Sequence, residues 1–224
     1  MLDDFKKKTL CLIPARKLSQ RIKKKNKKKI NGKPLILWTI DFAKKNFLLE
    51  NIYVSSDDEE ILEISRKNKI NSIKRPKIYS HSKAKSIEVI KHFLSKFKKI
   101  NFKNIILLQP TSPFRKKRTL KKIISIYLKS NLNSIVTVSR DIKDEKNLFY
   151  IDKNNNLSKK KNNFCVRING NIYLTKIAYI KKTSRIYERQ SKALIINNKI
   201  EGIDIDVLKD WILLQKNKKF LGKF

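Results

Sequence analysis

The stretch Leu10-Cys11-Leu12-Ile13-Pro14-Ala15-Arg16-Lys17-Leu18-Ser19-Gln20-Arg21-Ile22-Lys23-Lys24-Lys25-Asn26, followed by Gly32-Lys33-Pro34-Leu35, decides the fold. A short apolar run ends near Pro14 and opens onto a basic loop, and a helix is expected to begin at Pro34. A strand feeding a loop and then a helix N-terminus is the layout of a nucleotide phosphate site in an α/β fold. Between Lys6 and Lys33 there are thirteen Lys or Arg and no Asp or Glu. No glycine precedes Gly32, so neither G-x-x-x-x-G-K-[ST] nor G-x-G-x-x-G can be written here. Phosphates would be held by side-chain cations, hydroxyls and amides. As a bare pattern the loop also reads as a solvated, Lys-rich turn.

Outward from this stretch the chain alternates strand-like and helix-like segments, which predicts helices packed on a mostly parallel sheet. Strands are expected at residues 9–14, 51–55, 70–74, 105–108, 134–139 and 203–206. Helices are expected at 35–45, from an Asp57-Asp58 N-cap through 67, and at 86–97, 119–128 and 207–216. Residues 105–108 are wholly apolar, as in a strand buried on both faces. Residues 141–163 are Asn- and Lys-rich and lose periodicity, which marks an excursion from the sheet.

At 224 residues, 40% of them hydrophobic, the chain can bury a substantial core, and one domain over residues 1–224 is expected. No apolar run approaches the roughly 20 residues needed to cross a bilayer, so no membrane partner and a cytoplasmic location are expected. Cys11 and Cys165, the only cysteines, are expected as two reduced thiols. The formal charge of +36 invites a nucleic-acid reading. Against it, the lysines are spread over nearly every segment together with an excess of Ile and Asn, residues that share AT-rich codons.

Ligands of open α/β sheets sit beyond the carboxyl ends of the strands. That rule nominates residues 15–33, residues 109–115 and the pair Asp204 and Asp206. In the first, Arg16 and Lys25 supply charge, with Ser19 and Asn26 as hydrogen-bonding groups. Asp204 and Asp206 lie two apart on an expected strand, so both point to one face and suit Mg²⁺ shared with substrate phosphates. The competing reading is that Asp206 N-caps the following helix. Asn169-Gly170 reads first as a hairpin turn, and the functional alternative is that Arg167, Asn169 and Tyr173 face a ligand. His81 and His92 have no metal-spaced partners, which argues against zinc; His92 is expected as a satisfied core residue.

Taken in order, these segments resemble the N-acylneuraminate cytidylyltransferase family, the CMP-sialic acid synthetases and their pseudaminic and legionaminic acid relatives. The motifs are Ile13-Pro14-Ala15-Arg16 with Ser19 and Lys25-Asn26, Gly32-Lys33-Pro34-Leu35, Val54-Ser55-Ser56-Asp57-Asp58-Glu59-Glu60-Ile61, Arg75-Pro76, Ser86-Ile87, Leu107-Leu108-Gln109-Pro110-Thr111-Ser112-Pro113, Arg167 with Asn169-Gly170 and Ile172-Tyr173, and Ile203-Asp204-Ile205-Asp206. The resemblance implies a Rossmann-like sheet of the nucleotide-diphospho-sugar transferase type that binds CTP. The anomeric hydroxyl of a nonulosonic acid would attack the α-phosphorus, releasing pyrophosphate. It also implies a homodimer in which the excursion at 141–163 meets the partner. Arg16, Ser19, Lys25 and Asn26 would hold the phosphates, and Arg75 and Ser86 the cytidine. Gln109, Arg167, Asn169 and Tyr173 would bind the sugar acid, with Tyr187 the candidate for its acyl pocket. Asp204 and Asp206 would carry Mg²⁺, and Lys25, Arg16 and Asp206 would act in catalysis.

The chain departs from this pattern in three places. Lys17, Leu18 and Gln20 stand where many relatives carry a Gly-Gly pair before the loop serine and a lysine after it. Ser82-Lys83 replace an acid and a threonine, and the aromatic acyl pocket is not clearly preserved. Two rival readings accompany the resemblance. One is a 3-deoxy-manno-octulosonate cytidylyltransferase, suggested by Ser19-Gln20-Arg21 but opposed by Gln109-Pro110-Thr111-Ser112-Pro113. The other is a catalytically silent basic protein that binds nucleotide or nucleic acid.

Overall fold

A computed structural model describes residues 2–81, 84–97, 101–140, 148–158, 165–188 and 190–223. Its strands are β1 (Thr9–Ala15), β2 (Lys29–Ile30), β3 (Lys33–Pro34), β4 (Ile52–Ser56), β5 (Asn71–Lys74), β6 (Asn104–Leu107), β7 (Ser134–Ser139), β8 (Leu148–Ile151), β9 (Leu157–Ser158), β10 (Cys165–Lys176) and β11 (Lys192–Ile195). Its helices are α1 (Leu2–Lys7), α2 (Leu35–Lys44), α3 (Glu59–Lys67), α4 (Ser86–Lys96), α5 (Lys117–Lys129), α6 (Ile177–Thr183) and α7 (Leu208–Lys216). The main sheet runs β11-β7-β10-β6-β1-β4-β5, with β8 and β9 attached through β10. The pairs β1–β4, β1–β6, β4–β5 and β7–β11 are parallel, and β10 is antiparallel to β6, β7 and β8. The expected α/β fold is therefore present, with one long antiparallel strand set into a mostly parallel sheet.

Alternation along β1 explains the layers. Cys11, Ile13 and Ala15 point into a core with Ile36 and Ile40 of α2, Ile61 of α3 and Ile123 of α5. Leu10 and Leu12 point the other way, against Val89, Ile90 and Phe93 of α4 and Ile180 of α6. Both faces are apolar because both are covered by helices. The ends are capped locally: the Asp58 carboxylate accepts the Glu60 N–H at 3.2 Å at the start of α3, and Glu88 accepts the Lys85 N–H at 2.9 Å at the start of α4.

Several expectations need correction. Residues 203–206 form an extended loop rather than a strand: Ile205 N–H bonds the Thr111 carbonyl at 2.8 Å, but no ladder continues on either side. Asn169-Gly170 is not a hairpin turn; it is a bulge inside β10, where the register against β7 shifts between Ile168 and Tyr173. His92 is buried as expected, yet both ring nitrogens lack a hydrogen-bond partner among the described residues, so it is not satisfied there. Burial, with Lys96 and Arg75 nearby, lowers its pKa and keeps the ring neutral. The short elements α1, α6 and β11 were not expected. Of the excursion at 141–163, residues 148–158 form the β8–β9 hairpin; residues 141–147 and 159–163 lie outside the described residues, as do Ser82 and Lys83. Cys11 and Cys165 are both free thiols.

Candidate active site

The sheet changes direction at β1, whose neighbours β4 and β6 are reached by crossovers to opposite sides, and a crevice opens there at the carboxyl ends. A cavity of about 350 Å³ occupies it. Arg16, Ser19, Lys25, Asn26, Arg75, Ser86, Gln109, Asp204 and Asp206 all line it, so nine of the sequence-nominated residues share one space.

The basic loop is shaped without glycine. Lys24 takes the left-handed conformation (φ 52°) and enters a short 3-10 turn, Lys25–Lys27. Lys25 Nζ donates to the Ile205 carbonyl at 2.6 Å and lies 3.7 Å from Asp206 Oδ1. Burial lowers the Lys25 pKa from its ordinary value, while Asp206 and Asp204 pull the other way. Asn26 is buried, and its amide donates to the Arg16 carbonyl at 3.1 Å, tying the end of the loop to its start. Lys17 N–H donates to Asp57 Oδ1 at 2.8 Å, and Lys27 Nζ bridges Asp58 at 2.9 Å and Glu60 at 2.7 Å. The acidic N-terminus of α3 thus anchors the loop from outside, and Arg16 is steered by the His81 carbonyl at 3.2 Å.

Arg75, which follows β5, is 5% exposed, and its Nε and Nη2 find no hydrogen-bond acceptor among the described residues. Asp57 Oδ1 lies 3.7 Å from Nη2, too far for a good hydrogen bond. Burial lowers the Arg75 pKa, Asp57 opposes that and Arg16 adds to it. A buried guanidinium with orphaned donors, beside a second cation and facing a cavity, calls for a ligand that brings acceptors.

Asp204 and Asp206 keep the expected period of two although the strand is absent. Ile203 and Ile205 are buried with Trp211 and Leu214, which turns both aspartates toward the cavity. Asp206 does not cap α7. Asp210 does that, its Oδ2 accepting N–H bonds from Asp206 at 2.8 Å and Val207 at 3.0 Å. Burial raises the Asp204 pKa, offset by a Thr111 hydrogen bond and by Arg167, whose Nη1 is 3.5 Å from Asp204 Oδ2. Arg21 donates to Asp206 Oδ2. Among the described residues no cluster of three or more Asp, Glu, His or Cys could cage a metal. Two carboxylates lining a cavity with room for phosphates and waters are the partial oxygen shell that suits Mg²⁺ rather than a full cage.

The loop after β6 is fastened by Arg115, which is fully enclosed. Its Nε donates to the Asn171 carbonyl at 2.7 Å, Nη1 to Thr39 Oγ1 at 3.0 Å, and Nη2 to the Gln109 carbonyl. Burial pushes its pKa down to about 9, which still leaves a cation at neutral pH. Gln109 Nε2 reaches Ser86 Oγ at 3.4 Å. Gly170 has φ +71°, and a Cβ there would lie 2.2 Å from Gln109 Oε1, so the bulge needs glycine for close approach.

Asn169 does not reach the cavity. It is fully buried, and its carboxamide is held by Thr137 Oγ1 at 2.7 Å, Ser139 Oγ at 2.8 Å and Asn171 N–H at 3.1 Å. Tyr173 and Tyr187 line a second, adjoining cavity of about 650 Å³ with Phe149, Ile87 and Ile186; the two cavities share Ala84 and Ser86. The tyrosine rings stack at 6.5 Å, and Phe149 meets Tyr187 edge-on at 6.1 Å. Burial raises both tyrosine pKa values, so both hydroxyls stay protonated. Sequence reasoning gave no individual site role to Asp57, Phe149, or Thr111 and Arg115, although the last two lie in the nominated loop at 109–115. Asp57 carried a signal, an acid beside a helix N-cap, but nothing in the sequence marked Arg115 as buried.

Comparison with known proteins shows the family. A family model described as Cytidylyltransferase matches residues 10–202. The chain belongs to the cytidylyltransferase family. This cytidylyltransferase is 32% identical over 223 residues to the CMP-N,N'-diacetyllegionaminic acid synthase of Legionella pneumophila, covering 92% of this chain and 94% of that one. It is 30% identical over 224 residues to the N-acylneuraminate cytidylyltransferase of Escherichia coli, covering 94% of this chain but 53% of that one, so it spans about half the length of that relative. Its fold is similar to that of a CMP:2-keto-3-deoxy-manno-octonic acid synthetase solved in complex with CTP, with a TM-score of 0.71 at 14% identity over 95% of this chain and 97% of that one. As a nucleotidyltransferase of this family, the enzyme has no helix long and apolar enough to cross a membrane among its described residues.

Proposed function

We propose that this cytidylyltransferase transfers CMP from CTP to the anomeric hydroxyl of a nonulosonic acid. The observation that carries the proposal is the single cavity where Arg16, Lys25, Arg75 and the two aspartates converge beside an aromatic pocket. In this reading Arg16, Ser19 and Lys25 receive the triphosphate, and Asn26 supports it by holding the Arg16 carbonyl. Arg75, with its orphaned donors, and Ser86 hold the nucleoside side. Gln109 and Arg167 orient the acceptor's polar groups. Tyr173 and Tyr187 enclose its acyl-bearing tail, with Phe149 closing the pocket.

Asp204 and Asp206 are the residues that would hold Mg²⁺. When bound, that ion neutralises charge on the phosphates and on the departing pyrophosphate. Lys25, buried and fixed by the Ile205 carbonyl, supplies a positioned positive charge for the same developing negative charge. The acceptor hydroxyl oxygen forms the new bond to the α-phosphorus and gives up its proton to water, while the bond from the α-phosphorus to the α–β bridging oxygen breaks and pyrophosphate leaves with that oxygen. No histidine is required.

Residues 141–163 are proposed as a homodimer contact. What supports this is that their described part, the β8–β9 hairpin, branches from β10 off the main strand path of the sheet and brings Phe149 to the aromatic pocket.

Asp206→Asn tests the site. Pyrophosphate release should fall by about 10²-fold or more while circular dichroism and melting temperature stay unchanged, because Asp210 and not Asp206 caps α7. Unchanged activity would contradict the assignment.

A further inference from the structure

The two oxygens of Asp206 face two cations that are held very differently. Near Oδ1 stands Lys25, with a side chain 11% exposed and its Nζ fixed on the Ile205 carbonyl. On Oδ2 sits Arg21, with a side chain 59% exposed, carried by an exposed stretch of the basic loop outside any helix or strand. Lys25 is built into the site, whereas Arg21 rests on it. An exposed ion pair of this kind is weak, so it exchanges readily when a stronger partner arrives at either end. Asp206 lines the cavity together with Arg16, Ser19 and Lys25, and the Arg21 guanidinium touches the cavity through Asp206.

We propose that Arg21 is an exchangeable cation that neutralises Asp206 in the empty site and moves to the terminal phosphates of the nucleotide when a divalent ion takes its place. The inference rests on the cytidylyl-transfer reading and assigns a ligand contact to a residue of the nominated loop other than Arg16, Ser19, Lys25 and Asn26. The chemistry favours the exchange at both ends. Asp206 is a hard oxygen donor that binds a divalent ion better than an exposed guanidinium. The planar fork of arginine matches phosphate oxygens bidentately, which a point-charge ammonium does not. Neutral Gln20 precedes it and Ile22 is buried behind it, so Arg21 is the cation that residues 20–22 can offer.

The exchange predicts opposite effects of one substitution on two ligands. In Arg21→Ala, Mn²⁺ titrated alone and followed by electron paramagnetic resonance should bind roughly two- to fivefold tighter, because its competitor for Asp206 is gone. CTP binding in the presence of Mg²⁺, measured by calorimetry, should weaken about tenfold or more through loss of a charge-assisted contact. Arg21→Lys should restore part of the CTP affinity. Equal weakening of both ligands, or no change in either, would overturn the proposal and leave cytidylyl transfer standing if the wild type still releases pyrophosphate. A wild type that binds neither Mn²⁺ nor CTP overturns both.

Discussion

Gly170 and Arg115 show how single residues hold the acceptor side in place. Gly170 sits at φ +71° with no room for a Cβ against Gln109 Oε1, and Arg115 clamps the Gln109 carbonyl from the other side. Gly170→Ala should cost about 1–3 kcal/mol of stability through strain in the left-handed region. It should also raise KM for the sugar acid more than KM for CTP, because Gln109 must move while Lys25 does not; denaturant melts and separate KM measurements check both parts. The Asn-Gly pair was legible in the sequence as a point of positive φ, but not as a bulge. A hairpin turn and a G1-type bulge place the same demand on the backbone, and only pairing with β7 on both sides of the bulge decides between them. Arg115 was illegible for a different reason: its partners are carbonyls and a hydroxyl from α2, β10 and its own loop, which leave no charge pattern in the sequence.

At the level of elements, the central strands and their helices were legible because alternating residues of β1 must meet two cores, and α3, α4 and α7 carry acidic caps. Residues 203–206 misled because alternation of apolar and acidic residues also arises in an extended loop whose isoleucines plug a core beneath it. The period was right and the hydrogen-bond ladder was not, since a ladder depends on a neighbour that no local pattern encodes. The β8–β9 hairpin carries a pH-sensitive lock. Asp152 accepts N–H bonds from Asn156 and Asn154, each at 2.8 Å, and the Asn156 N–H is the main cause of a pKa below the ordinary carboxylate value of 3.8. A depressed folded pKa means that the stabilisation is complete above the unfolded pKa and is lost as pH falls through the folded one. Amide exchange in residues 148–158 should therefore accelerate, relative to the sheet, as pH drops below about 4. Asp152→Ala should show the faster exchange already at pH 7; identical protection in both proteins would remove Asp152 from the account.

For the whole molecule, the doubly wound sheet sets β1 between β4 and β6 and so gathers residues from positions 16 to 206 around one crevice. Order along the chain made the site legible, because Arg16, Arg75 and Gln109 each follow a strand whose carboxyl end the fold brings to the same crevice. What stayed hidden were the short elements α1, α6 and β11, which their neighbours rather than their own periodicity stabilise. The proposed dimer belongs to this scale. Replacing residues 141–163 by a short Gly-Ser linker should convert a sedimenting dimer to a monomer and reduce turnover, and a monomeric wild type would contradict the proposal. The net charge of +36 is spread widely, whereas the cations used in the cavity are few and individually held. The most direct measurement is pyrophosphate release by the purified protein with CTP, Mg²⁺ and a panel of nine-carbon and eight-carbon keto sugar acids. The account predicts release that requires CTP, Mg²⁺ and a nine-carbon acid together, with a CMP-sugar as the second product. A folded, CTP-binding protein that releases no pyrophosphate with any of the acids, or does so only with an eight-carbon one, would contradict it.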